Sequence, residues 1–345
     1  MSATSEASSL EAFFAIGIQS SKGTAATTLY KGLATVSALE PIVSYRDNRT
    51  EHPAAASVWL RTGYQTITNV LSGARVTFAL RPKMIVPVLQ AFGYQVSTAD
   101  NTTYYTHTLT QGTNAQHKWA TIAWSVPDSD GAFVTRGVDM RGTTLSIEVS
   151  TDEIICTAEF RGLTIEPMSG SPTYVTEQTD EMVPWLGART TMSAGISGST
   201  YSIVERIRGM TINVENVLRE DDRALWEPTQ TTLSRESHDV NYSLTDINMS
   251  DSVYEALVYG SNGGTSVSTA VRTGDINVYW ESADNISGAA TPYRFSIDTP
   301  AVQVIYDEGS AEANGTDIMT VSATANVIGT GTPVSIEVDN NVASY

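Results

Sequence analysis

The stretch Gly73–Tyr94, GARVTFALRPKMIVPVLQAFGY, decides how the chain is read. Val76, Phe78 and Leu80 alternate with Arg75, Thr77 and Ala79, the period of a strand with one apolar face. Ile85, Val88, Leu89 and Phe92 then recur at helical spacing, so a short amphipathic helix follows directly. The unit is written again at His238–Gly260, HDVNYSLTDINMSDSVYEALVYG. Val240, Tyr242 and Leu244 repeat the strand phase, and Val253, Tyr254, Ala256 and Leu257 repeat Val88, Leu89, Ala91 and Phe92. The offset is 164 residues in the strand and 165 in the helix, and Ile154 of DEIICTAEF maps onto Ile318 of TDIMTVSAT at 164. Three pairs in one order at one spacing indicate a β-rich domain written twice, over 1–172 and 173–345.

At 345 residues the chain accommodates two such domains, each of about 170 residues and able to bury a core. Charged residues make up only 17%, and short Val- and Thr-rich runs are separated by Gly, Asn, Asp and Ser, the composition of an all-β protein. Residues 1–172 carry 14 acids and 12 basic residues, net −2; residues 173–345 carry 24 acids and 8 basic residues, net −16. A surface this acidic does not grip nucleic acid through its phosphates. Solubility or a saline host accounts for the acidity as readily as a function does. No run reaches the length of a membrane helix, and the opening MSATSEASSLEAFF has no basic region before its apolar residues. The expectation is a soluble protein made in the cytoplasm. The one cysteine, Cys156, excludes internal disulfides and reads as a small core residue.

Further strands are expected at Ala12–Gln19, Leu39–Tyr45, Tyr104–Leu109, Trp119–Val126, Phe133–Gly137, Thr143–Val149 and Ile154–Leu163. The second copy runs through Tyr201–Val217, Arg272–Glu281, Tyr293–Ile297, Ala301–Tyr306, Ile318–Val327 and Val334–Val338. Pro167 to about Ser199, rich in Gly and Pro, reads as the linker. Ser20–Tyr64 is long and weakly patterned, with Asn48–Ala56 as an exposed arm, which marks it as a functional loop.

Catalytic chemistry is missing from the sequence. His52, His107, His117 and His238 have no metal-ligand spacing, and there is no HExxH, CxxC, P-loop, GxSxG or dinucleotide fingerprint. Asp128–Gly131 lacks the glutamate that closes a calcium loop. The acidic run Glu220-Asp221-Asp222 reads as a solvated loop. No enzyme activity, cofactor or metal is expected.

The order of these pieces resembles the major tail tube proteins of long-tailed, non-contractile bacterial and archaeal viruses. The likeness is carried by AFFAIGIQSSKGTAATTLYKGL, the strand–helix unit ending Phe92-Gly93-Tyr94, and the hairpin GVDMRGTTLSIEVSTDEIICTAEFRG. MTINVEN followed by a loop and VNYSLT, and the closing SIEVDNN, extend it through the second half. The resemblance implies two tandem β-sandwich or barrel domains, each flanked by one short helix. It also implies a ring with a continuous inner β-barrel, here a homotrimer with pseudo-sixfold symmetry, stacked into a tube in the virion tail. Tail terminator and distal tail proteins would bind its ends. A tape-measure protein would fill the tube until ejection, and double-stranded DNA would pass through without tight binding.

Ring closure also removes the exposed edges of a β domain. Thr144, Ser146 and Glu148, with Asp239, Asn241 and Ser243, form small polar faces suited to the lumen, where acids repel DNA over about 8 Å. An ordinary sandwich with one solvated face gives the same alternation. Asn48, Arg49, Glu51 and His52 are the candidate tip of a loop reaching the neighbouring ring. The competing readings are a capsid-decorating or other self-assembling surface protein, and a carbohydrate-binding module. The latter would gather its tryptophans on one face, whereas the six here are scattered.

Overall fold

The computed structural model describes residues 13–33, 35–47, 65–126, 133–150, 154–168, 172–176, 191–196, 209–221, 230–248, 255, 259, 265–266, 272–307, 320–329 and 333–345. Along them run β1 (Phe13–Ile18), β2 (Thr28–Leu33), β3 (Thr35–Asp47), β4 (Gln65–Ala79), helix α1 (Ile85–Ala91), β5 (Tyr94–Asp100), β6 (Tyr105–Gln111), β7 (Ala120–Val126), β8 (Phe133–Val149) and β9 (Ile154–Pro167). There follow β10 (Thr173–Thr176), β11 (Thr191–Ile196), β12 (Gly209–Leu218), β13 (Arg235–Asn248), β14 (Arg272–Asn285), β15 (Pro292–Asp307), β16 (Thr320–Val327) and β17 (Ser335–Asn340). The chain is mainly β, in one large open sheet network.

Two runs of strands share an order. The first is β3-β4-β9-β8-β7-β1 and the second β12-β13-β16-β15-β14-β11, antiparallel throughout. The first continues through β2 to β10, whose pairing is parallel. Two ladders stitch the runs together: β12 lies along Thr144–Val149 of β8, and β17 lies between β15 and β6, with β5 beyond. These pairings branch but close no barrel among the described residues.

The ladders also set the equivalence between runs. Val76 pairs with Ala158, whereas Asn241 pairs with Asn326, so with Val76 matched to Val240 the equivalent of Ile154 is Ala323. The sequence pairing of Ile154 with Ile318 is therefore five residues out of register.

Inward positions along these strands are apolar and buried: Val76 and Phe78, Cys156 and Ala158, Leu145 and Ile147, Ile212 and Val214, Tyr242 and Leu244, Ala323 and Ala325, Val302 and Val304. They belong to one cluster spanning both runs. Cys156 is a core residue, and burial raises its thiol pKa.

Helix α1 is shorter and drier than its pattern suggests, because all seven residues are buried. It is wedged against β1, β5, β6 and β8, which leaves no solvent face to be amphipathic. Pro87 is tolerated because it sits in the first turn, where backbone N–H groups have no helical partner. Gly93 ends the helix at φ +97°, and its N–H is bonded to Gln90 O at 3.0 Å. Of the second expected helix, only Glu255 and Tyr259 are described; the Tyr259 N–H is bonded to Glu255 O at 2.8 Å, the helical spacing.

Two pairs of expected strands fuse. Phe133–Gly137 and Thr143–Val149 are one strand, β8, whose ladder with β9 runs on past Asp139, a left-handed residue at φ +57°, and past a register shift between Gly142 and Thr144. Tyr293–Ile297 and Ala301–Tyr306 are likewise one strand, β15. The expected linker holds β10, on the edge of the first run, and β11, on the edge of the second.

Candidate functional site

Because β12 continues the edge of β8, both runs join in a sheet of order β3-β4-β9-β8-β12-β13-β16-β15-β14-β11. One face of its central strands is the core. On the other face, all six residues expected to face a lumen fall into three lateral rows. Thr144 lies beside Glu215, and Glu215 beside Asp239; Ser146 beside Asn213, and Asn213 beside Asn241; Glu148 beside Thr211, and Thr211 beside Ser243. β8 supplies one column and β13 the other, with β12 between them. Thr144, Glu148, Glu215 and Asp239 are exposed, while Ser146, Asn213, Asn241 and Ser243 are half-buried.

The middle row is uncharged across strands from both runs. It proceeds Thr77, Thr157, Ser146, Asn213, Asn241, Asn326, Gln303. Its members bond laterally: the Thr77 and Thr157 hydroxyls are 3.1 Å apart, and Asn213 Nδ2 donates to Asn241 Oδ1 at 3.2 Å. The flanking rows carry Glu148, Glu159, Glu215 and Asp239 against Arg75, which lies 3.6 Å from Glu159. The face is therefore polar and net acidic at its centre, with Ile305 and Val217 exposed toward its margins. It offers hydrogen bonds, and at its β13–β16 side Asp239, Asn241 and Asn326 border a shallow cleft shared with His238 and Gln111. Among the described residues no cluster of His, Cys, Asp or Glu is placed to hold a metal. Asn48, Arg49, Glu51 and His52 lie outside the described residues.

Sequence reasoning missed a second group, buried where β12 and β13 meet the first run. Asn216 donates through Nδ2 to Phe92 O and Gly142 O, both at 3.0 Å, so its Oδ1 accepts from His238 Nδ1 at 2.7 Å. His117 donates through Nε2 to Ala91 O at 2.7 Å. Each imidazole is thereby fixed in one neutral tautomer. Arg141 donates to Leu233 O and, at 2.8 Å, to His117 O, with its guanidinium 3.9 Å above the Trp119 ring. Arg235 donates to Gly112 O at 2.6 Å.

Burial, with the nearby Arg141 charge, pushes His117 down to about 3; burial and Arg235 push His238 down to about 4. Burial and Arg235 also lower Arg141 to about 10. No local signal could have found this cluster, since its bonds join residues as far apart as Phe92 and Asn216.

No protein-family model matches the chain, and no curated protein matches it.

Proposed function

We propose that this chain is a structural virion protein, the major tail tube protein of a long-tailed, non-contractile virus. The observation that carries the proposal is the polar face just described. Its buried reverse side is shared by both runs, and backbone hydrogen bonds cross from one run to the other at β8–β12. A duplicated β unit that already joins itself edge to edge has the means to join further copies in the same way. Three copies make a pseudo-sixfold ring, and the rings stack into the conduit for DNA ejection.

The acidic, hydrogen-bonding wall lets DNA and a tape-measure protein slide. Among the described residues it presents no basic cluster to hold phosphates. Terminator and distal tail proteins cap the ends.

Negative-stain electron microscopy with native mass spectrometry tests this directly. Rings or tubes of three chains per ring are expected. A chain that stays monomeric at every concentration and salt would overturn the reading in favour of a decorating or surface role.

A further inference from the structure

The ladders that equate the two runs also point to the seat for the next subunit. Leu145 of β8 pairs with Ala158, and the equivalent of Ala158 is Val327, which pairs with Val302 of β15. By the same step Ile147 corresponds to Val304, through Cys156 and Ala325, and of these residues all but the half-buried Val327 are buried. Val214 of β12 pairs with Val240 and Val36 of β3 pairs with Val76, so β12 corresponds to β3.

Inside the chain Val214 is paired with Leu145, Asn213 with Ser146 and Glu215 with Thr144. Carried over, this junction sets Val36 of one copy against Val302 of another, Thr35 against Gln303 and Ser37 against Ala301. Among the described residues β3 is bonded only on its β4 side.

That seat is occupied. In the first run the partner on this edge, β7, reaches only as far as Met140 of β8, and β12 takes over from Thr144. In the second run β14 continues further: Gly274, Thr273 and Arg272 pair with Val302, Gln303 and Val304. Gly274 and Asp275 are in turn clasped by Ile196 and Gly195 of β11.

We propose that Arg272–Gly274, anchored at Gly274 by β11, is a self-made cap on the acceptor edge of β15. On this view assembly peels the cap away so that β3 of a second copy takes its place. The proposal rests on the tube reading and specifies its junction. Exchange of one antiparallel ladder for another conserves backbone hydrogen bonds, so the capped chain remains a monomer until a copy displaces the cap. Each copy then gives eight strands to the wall, β3 through β15. Three copies at about 4.8 Å per strand enclose a circle with a backbone diameter of roughly 35–40 Å.

Directly opposed residues of an antiparallel pair lie within disulfide reach, and the only native cysteine is buried. Two double variants of the full chain therefore decide the matter. Thr273→Cys with Gln303→Cys forms an intramolecular bond that holds the cap. Oxidised, it is expected to stay a folded monomer, and on reduction to assemble as the wild type does. Thr35→Cys with Gln303→Cys is expected to link chain to chain, giving bands up to the trimer on a non-reducing gel of assembled material.

Tubes that form equally well from oxidised Thr273→Cys/Gln303→Cys would overturn the cap while leaving the tube reading intact. So would assembled material in which 35 and 303 never link. A wild-type chain that never forms rings would sink the tube reading and this junction together.

Discussion

Gly142 and the buried imidazoles show how single residues set the tolerances of this molecule. A Cβ on Gly142 would collide with the Phe92 ring, and one on Gly93 would meet the Arg235 guanidinium in a left-handed conformation as well. Gly142→Ala is expected to lower stability by about 1–3 kcal/mol, the usual cost of overpacking, read from urea midpoints at pH 7. His117 and His238 are neutral in the fold, with pKa values of about 3 and 4 against roughly 6.5 in an unfolded chain. A group so depressed favours the fold fully above its unfolded value and progressively less as the pH falls below it. Stability should therefore drop between pH 6.5 and 4, by about 2 kcal/mol per imidazole from pH 7 to pH 5. His238→Gln should remove its share of that slope, and an unchanged slope would show that the imidazole is not buried neutral.

Among the elements, those marked by strict alternation were legible in advance. Thr143–Val149, Ile154–Leu163 and the strand ending in Val76 and Phe78 all appear where the period-two pattern places them, because a half-buried strand needs that pattern. What hid was anything decided by its pairing partner rather than by its own pattern. β5 has little apolar content and forms because β6 offers it a complete ladder. β10 and β11 sit in a Gly- and Pro-rich stretch and are recruited by the edges of β2 and β14.

The six polar residues share lateral rows, and those rows depend on Thr211, Asn213 and Glu215 of the intervening strand, which local alternation does not single out. Helix α1 lies where its spacing places it but has no wet face, since four strands surround it and nothing local announces them. Its burial makes a firm forecast possible. Leu89→Ala should cost about 2–5 kcal/mol, as for other fully buried leucines, where a helix with a wet face would lose less at its margins. Thermal melting of the variant checks it.

At the scale of the whole molecule, the uneven charge and the acidic face belong to one argument. Reversing Glu148, Glu215 and Asp239 together to Lys changes exposed positions only, so the fold should survive with its circular dichroism unchanged. If that face lines a conduit, assembled triple-variant tubes should retain duplex DNA at low ionic strength and release it steeply as salt rises, because phosphate contacts are salt-dependent. Wild-type tubes should retain none at any salt. Equal retention by both would separate this face from the passage of DNA.

The position of β17 has a bearing on timing. His107 of β6 is bonded to Asn340, 233 residues further along, and β17 also supplies the ladder that joins β6 to β15. At about 5–20 residues per second a ribosome takes roughly 10–50 s to cover that distance. The β5–β6 hairpin must wait that long for its second neighbour. A nascent chain therefore cannot present a finished sheet while it is still being made, and the proposed joining of copies would fall to completed chains.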